Sequence, residues 1–300
     1  MASSEVRRHP RWLGALLWML AVLLMFTAVI YQRRTGPTYP KRGEIEAAGA
    51  VHKYKLIRSE ETIRDARVVL PDLGVGASAR LHWKRYKTDD PFTEAALAQE
   101  TEEGVTELAA YLPAQPAAGK LEYYLEVDTP AGESRIPVAG EDNIIIRFKD
   151  PVPTPLLVAH VTFMFFSVLI GMRTGLGAIF APSNVRPLAW ITLTGMTLGG
   201  MILGPFVQKY AFGEYWTGFP WGYDLTDNKM LIMWVAWLFA CSTVGLRPKK
   251  KELPARLVVM VAAAVMTVVY LIPHSMRGSE LDYSKVDQGI APSEAIGTGD

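Results

Sequence analysis

Residues 153–172 read PTPLLVAHVTFMFFSVLIGM, and this stretch decides what kind of protein the chain encodes. Its 20 residues include no Lys, Arg, Asp or Glu. As a helix rising about 1.5 Å per residue, it is about 30 Å long, the thickness of the hydrocarbon core of a bilayer. The stretch therefore predicts a membrane-spanning helix.

Four further apolar runs have similar lengths, and they cover residues 12–31, 188–207, 230–246 and 257–272. The first run is longer than the apolar region of a signal peptide, about 7–15 residues, and it ends without a small-residue cleavage site, which indicates an uncleaved anchor. Gly195 and Gly199 in the third run form a small-xxx-small pair that lets helices approach closely, although membrane helices also simply tolerate glycine. We expect five membrane-spanning helices.

Composition excludes several classes of protein. Half of the 300 residues are hydrophobic, and they are concentrated in the five runs, which excludes an ordinary cytosolic enzyme, a disordered chain and a soluble helical bundle. The net charge of +1 argues against nucleic acid as a partner. A single cysteine, Cys241, excludes an internal disulfide framework.

The orientation follows from the Lys and Arg residues of the short loops. Residues 247–256 hold the strongest basic cluster, so we expect that loop in the cytoplasm of a bacterium, with the chain in the inner membrane. The expected parts are a cytoplasmic N-terminus (1–11), an anchor helix (12–31), an extracytoplasmic β-sandwich (36–150), a four-helix membrane part (153–273) with an outer aromatic loop (208–229), and an extracytoplasmic tail (274–300). The tail is small and polar from residue 284 onward, which predicts disorder.

Residues 36–150 differ in composition, with 15 basic and 20 acidic side chains. Short alternating stretches separated by turn residues predict strands at 51–57, 67–70, 79–86, 106–111, 120–127 and 144–148. In the third of these, Leu81 and Trp83 fall on one face, and Arg80, His82 and Lys84 fall on the other. This spacing favours an antiparallel β-sandwich.

The stretches LHWKRY (81–86), AAYLP (109–113) and LEYYLEV (121–127) resemble the strands of immunoglobulin-like or fibronectin-type modules of bacterial envelope proteins. The resemblance covers residues 50–148. It implies a module that binds or spaces other components rather than a catalyst. The expected fold class is thus a helical membrane bundle of five helices with an inserted extracytoplasmic β-sandwich.

His160 is the only readily ionisable side chain deep within an apolar run. It lies about 10 Å along the helix from Pro153, where a polar side chain is costly and marks a candidate functional site. His274 ends the fifth run, on the same expected side of the membrane. Two helix-borne histidines can hold a haem iron. Alternatively, His160 hydrogen-bonds a neighbouring helix and His274 caps a helix end.

The outer loop reads FGEYWTGFPWGYDLTDNK over residues 212–229. It resembles the tryptophan-rich "WWD" loop of the haem-handling membrane proteins of cytochrome c biogenesis, with Trp216, Trp221 and Asp224 at matching positions. In that family the loop lies outside the membrane and cradles haem between histidine ligands from neighbouring helices. An aromatic belt at the membrane interface is the alternative interpretation of this composition.

The resemblance implies a haem b site. It implies iron ligation by His160 and His274 and haem contacts from four loop residues, which are Trp216, Trp221, Tyr223 and Asp224. Arg277 would pair with a haem propionate, since guanidinium binds carboxylates in a bidentate manner. Arg277 could instead pair with Glu280 or with a lipid headgroup.

Two functions follow as hypotheses. The first is a haem-binding membrane protein in electron transfer or haem handling at the outer face of the membrane. The second is a non-catalytic accessory subunit of a larger membrane complex, whose β-sandwich docks other subunits or an extracytoplasmic protein. The chain contains no Gly-x-Ser-x-Gly, phosphate-loop or dinucleotide-binding motif, so the sequence indicates no particular catalytic activity. Whether the chain is an enzyme stays open.

Overall fold

The computed structural model describes residues 10–102, 104–130, 132–181, 184–247, 253–273 and 278–297. The chain folds into two compact units. The helical unit comprises Met1–Gly36, Val152–Lys209 and Glu214–Arg277, and the β-rich unit comprises Pro37–Pro151, Tyr210–Gly213 and Gly278–Asp300.

The helical unit is built from long apolar helices around a shared core. They are α1 (Arg11–Thr35), α2 (Thr154–Phe180), α3 (Val185–Met196), a π-helical segment (Thr197–Leu203), α4 (Gly204–Phe212), α5 (Leu225–Val244) and α6 (Leu253–Leu271). Met196, Trp237 and Met266 are fully buried in the core of this unit. The segment from α3 to α4 is one continuous helical stretch, interrupted only by its π-helical turns.

Four helices in the described ranges are long and apolar enough to cross a membrane. They are Arg11–Thr35, Thr154–Phe180, Val185–Phe212 and Leu253–Leu271. They coincide with the first, second, third and fifth apolar runs. The run at 230–246 forms α5, which is not among the four, and Asp227 and Lys229 lie in its first turns. Apolar helices together with a β-rich region are therefore confirmed, while a fifth span through α5 stays a prediction.

Hydrogen bonds between helix ends establish the direction of each helix. Gln32 Nε2 donates to the carbonyl of Tyr270 at 2.8 Å, which brings together the C-terminal ends of α1 and α6. Arg256 Nε donates to the carbonyl of Ala178 at 2.8 Å, which joins the start of α6 to the end of α2. We call the end of the helical unit where α1 and α6 finish the loop end, since α5 also begins there. We call the opposite end, where α6 starts and α2 finishes, the basic end.

Glycine allows α3 and the π-helical segment to pack closely on α2. A Cβ atom built on Gly195 would lie 2.3 Å from Ser167 Oγ, and one built on Gly199 would lie 2.8 Å from Phe163 Cβ. Both distances are below van der Waals contact, so this pair of small residues is a contact between helices.

Residues 41–149 of the β-rich unit form two sheets and a hairpin. The strands are β1 (Lys41–Ala47), β2 (Ala50–Leu56), β3 (Ser59–Glu61), β4 (Ala66–Pro71), β5 (Ser78–Arg85), β6 (Thr93–Ala96), β7 (Ala98–Glu102), β8 (Val105–Leu112), β9 (Lys120–Thr129), β10 (Gly132–Ile136) and β11 (Ile144–Lys149). One sheet has the order β3-β11-β9-β5-β6, with β10 also paired to β9; the other has the order β4-β8-β7; and β1 pairs with β2. All of these pairs are antiparallel except β11 with β3.

The two sheets share one apolar core. Leu70 of β4 is fully buried in the same cluster as Leu81 of β5, Tyr123 of β9 and Phe148 of β11. Each of the six predicted strands overlaps an observed one. The immunoglobulin-like or fibronectin-type topology stays a prediction.

The C-terminal tail folds onto the β-rich unit. It forms β12 (Glu280–Leu281), α7 (Tyr283–Asp287), a 3-10 turn (Pro292–Glu294) and β13 (Ile296–Gly297). Arg85 Nη1 and Asp287 Oδ1 lie 2.7 Å apart, and Glu280 lies between the ammonium groups of Lys87 and Lys120. The prediction of disorder from residue 284 onward is therefore wrong for residues 284–297, because Asp287 pairs with Arg85 and the segment packs Ala295 and Ile296 with Leu281 and Tyr283.

Candidate functional site

His160 lies in the second turn of α2, near the loop end of the helical unit. Its Nδ1 atom is 2.9 Å from the carbonyl oxygen of Gly199, in the π-helical segment. The same carbonyl accepts the backbone N–H of Gly204 five residues later, which is the π-helical pattern. A Cβ atom on Gly204 would lie 3.7 Å from His160 Cε1, so the imidazole packs directly against this glycine. Single π-helical turns inside α-helices are often found at functional sites.

The contact with Gly199 assigns the tautomer of His160. A carbonyl oxygen only accepts hydrogen bonds, so Nδ1 carries the hydrogen and Nε2 keeps its lone pair. Within the described ranges, no hydrogen bond reaches Nε2. Most metal-ligating histidines share this arrangement, in which one ring N–H donates to a carbonyl and the other nitrogen faces the metal. The alternative weighed from the sequence, a hydrogen bond to a neighbouring helix, is therefore present and leaves Nε2 available as a ligand.

The aromatic loop is tied to the first turn of α5. Asp227 Oδ2 accepts the backbone N–H of Thr217 at 2.7 Å and its hydroxyl at 3.3 Å. Gln208 Nε2 in α4 donates to the same hydroxyl at 2.6 Å. Asn228 Oδ1 accepts the backbone N–H of Phe219 at 2.7 Å. These bonds connect both flanks of the loop with its middle.

Asp224 caps α5. Its carboxylate accepts the backbone N–H groups of Thr226 at 2.8 Å and Asp227 at 3.4 Å, and only 6% of the residue is exposed. An aspartate at this position satisfies N–H groups that have no partner within the helix. The sequence Asp-Leu-Thr-Asp at residues 224–227 is typical of a helix N-cap. This signal is independent of the resemblance to a haem-binding loop. The structure thus shows a stabilising role for Asp224.

The tryptophans of the loop are placed differently from one another. Trp216 Nε1 donates to the carbonyl of Phe219 at 3.1 Å, so its indole takes part in holding the loop. Trp221 is 81% exposed and Tyr223 is 75% exposed. These two rings are the members of the predicted haem-contact set that are free to cover a ligand or meet a membrane interface.

A buried lysine at the loop end was missed from the sequence. Lys229 in α5 is only 2% exposed, and its ammonium donates to the carbonyl of Ile272, just beyond the end of α6. The signal in the sequence is a lysine directly before the apolar run that begins at Met230. The contact joins α5 to α6 at the loop end.

Two predicted site residues, His274 and Arg277, lie outside the described residues. The described portions of the chain contain no group of three or more His, Cys, Asp or Glu side chains that could hold a metal ion. The structure therefore brings the aromatic loop and α5 together and places His160 near the same end of the bundle.

No family model matches the chain, and no curated protein matches it.

Proposed function

We propose that the chain is a haem-binding membrane protein that acts in electron transfer or haem handling, in which Nε2 of His160 would hold the haem iron. The observation that carries this proposal is the 2.9 Å contact between His160 Nδ1 and the carbonyl of Gly199, which leaves Nε2 as a neutral donor nitrogen. A bound haem b supplies an iron that exchanges one electron; the residues of the chain hold and orient it.

In this proposal His274 would be the second residue that holds the iron. α6 ends at Leu271, three residues before His274, and it ends at the loop end of the bundle, where Lys229 meets Ile272. Arg277 follows in the sequence and would pair with a propionate.

The aromatic loop supports the same proposal. Trp221 and Tyr223 are exposed on a segment that Asp227 and Asn228 hold in place, so they offer preorganised flat surfaces for a porphyrin ring. The resemblance of this loop to the tryptophan-rich loop of cytochrome c biogenesis proteins points to the same ligand. We assign Trp216 and Asp224 to maintaining the shape of the loop.

The proposed location is the inner membrane of a bacterium, with five spans, a cytoplasmic N-terminus and an extracytoplasmic loop end. Described arginines at the basic end support this orientation, because basic residues accumulate on the cytoplasmic side. They are Arg11, Arg173, Arg186, Arg247 and Arg256.

The test is an absorption spectrum of the detergent-purified full chain, oxidised and then reduced with dithionite, with a haem assay. We expect a Soret band that sharpens on reduction and about one haem per chain. His160→Ala should abolish it, whereas the matched control His52→Ala, a histidine in β2 whose ring nitrogen lies 3.2 Å from the carbonyl of Ala47, should not. Folded protein without a Soret band would overturn the proposal.

The second candidate is an accessory subunit of a larger membrane complex. The observation that favours it is a pair of strand edges: among the described strands, β6 pairs only with β5, and β7 pairs only with β8. Unpaired strand edges bind partner strands through backbone hydrogen bonds. Reproducible co-purification of other subunits, with no stoichiometric haem, would favour this candidate over the first.

A further inference from the structure

Arg173, near the end of α2, is a buried cation that lacks an acceptor. The residue is 5% exposed, and its Nε atom is fully buried without a hydrogen-bond partner. Across the described residues, no hydrogen bond and no carboxylate reaches its guanidinium group; its closest aromatic neighbour is the ring of Trp18, whose centroid is 5.4 Å from Cζ. A guanidinium has five N–H donors, and burying them without acceptors is strongly unfavourable.

A second guanidinium lies at the same turn of α2. Arg256, near the start of α6, donates to the carbonyls of Ala178 at 2.8 Å and Ile179 at 3.2 Å. A Cβ atom on Gly177 would lie 2.8 Å from Arg173 Nη1, so the Arg173 group reaches the neighbouring residue of that turn. The carbonyls at the end of a helix carry partial negative charge and account for Arg256. They do not account for Arg173, which bonds none of them.

Among its described residues, the helical unit offers no counter-charge near Arg173. Its carboxylates among the described residues are Glu214, Asp224 and Asp227, and all three lie in the aromatic loop or the first turn of α5. α5 itself is 20 residues, about 30 Å, long, and it separates these carboxylates from the basic end. No described carboxylate of this unit therefore balances the charge of Arg173.

We propose that the basic end binds the phosphate group of an anionic phospholipid, with Arg173 as the buried ligand and Arg256 beside it. Guanidinium matches the oxygen geometry of phosphate, and basic pockets between membrane helices bind acidic headgroups. The adjoining surface of α1 favours a lipid over free phosphate, because Leu16, Met19 and Leu23 are exposed apolar side chains around Trp18 against which acyl chains can pack. This inference does not depend on haem.

The experiment uses the full chain in phosphatidylcholine nanodiscs and in detergent, titrated with phosphatidylglycerol. Native mass spectrometry should show one retained phosphatidylglycerol, and the apparent Tm should rise with this lipid but not with added phosphatidylcholine. Arg173→Gln should weaken retention at least tenfold and remove the shift in Tm. The control Arg33→Gln, an exposed arginine in the last turn of α1, should behave as wild type.

Three further outcomes test the proposal without relying on lipid binding by the Arg173 variant. In lipid-free detergent, Arg173→Gln should melt at the same temperature as wild type or higher, because it removes an uncompensated buried charge; a large loss of Tm there would contradict the proposal. Wild-type protein that retains phosphatidylglycerol and phosphatidylcholine equally would overturn it without any variant. Millimolar inorganic phosphate that stabilises the wild type as strongly as the lipid would overturn the assignment to phospholipid.

Discussion

The hydroxyl of Tyr283, in the C-terminal tail, lies 3.0 Å from the backbone nitrogen of Lys120 at the start of β9. It also donates to Gln115 Oε1 at 3.0 Å, and the tyrosine is almost fully buried. One side chain of the tail thus satisfies polar groups of two segments of the β-rich unit, 163 and 168 residues away in sequence. The tail is a structural part of this unit.

Replacing Tyr283 with Phe should therefore destabilise the β-rich unit. The change removes the hydroxyl and leaves the Lys120 N–H without this partner, which costs about 1–3 kcal/mol. Chemical denaturation of the full chain, followed by tryptophan fluorescence, measures the change in free energy. The control is Tyr223→Phe on the exposed aromatic loop, which should change the free energy by less than about 0.5 kcal/mol. Equal behaviour of the two variants would show that the contact does not stabilise the fold.

Glu280 should make the stability of the β-rich unit depend on pH. Burial raises the pKa of its carboxyl, but hydrogen bonds from Lys120 and Lys87 outweigh burial and hold the pKa below its usual value. A carboxyl with a lowered pKa in the folded state stabilises the fold above its unfolded-state pKa of about 4.3, and this contribution is lost as the pH falls through the folded-state value.

Glu280→Gln should accordingly be less stable than wild type at pH 7, and the difference should shrink as the pH falls below about 4.3. Denaturation curves of both proteins at several pH values give this difference. A gap between them that stays constant down to the acid limit of the folded protein would show that ionisation of Glu280 is not its source.

Asp227→Ala should release the aromatic loop. The change removes the acceptor of the Thr217 backbone N–H and its hydroxyl, so the loop loses its tie to α5. Hydrogen exchange measured by mass spectrometry should show at least about tenfold faster exchange in peptides covering residues 216–223, because local opening controls exchange there. The exposed Glu214→Ala is the matched control and should leave exchange unchanged. If both variants exchange like wild type, the carboxylate does not hold the loop.

Gly199→Ala should destabilise the helical unit. Its new Cβ atom would lie 2.8 Å from Phe163 Cβ and 3.1 Å from the backbone nitrogen of Met164, so α2 must move. Overpacking of this kind costs about 1–3 kcal/mol. Gly14→Ala in α1 meets no atom within 4 Å and should leave stability unchanged or slightly raised. Thermal unfolding in detergent compares the two alanines directly, and a higher Tm for Gly199→Ala would exclude a close packing role.

Most of the long elements follow from local patterns in the sequence. Apolar run length located α1, α2, α6 and the stretch from α3 to α4, and alternation located six strands, because both patterns are local properties that any packed arrangement has to satisfy. It also singled out His160 and the aromatic loop as unusual. It missed short strands such as β6 and β7, whose polar sequences follow no alternation; these strands are held by backbone pairing with β5 and β8.

How the singled-out residues are used depends on the tertiary fold. Gly199 meets His160 across 39 positions, Arg173 is buried without a carboxylate among the described residues, and Tyr283 and Asp287 of the tail meet Lys120 and Arg85 of the β-rich unit. Each of these depends on atoms that packing brings together from distant parts of the chain. Local propensity carries no information about such contacts, because hydrogen bonding and burial are set by the surroundings of a side chain.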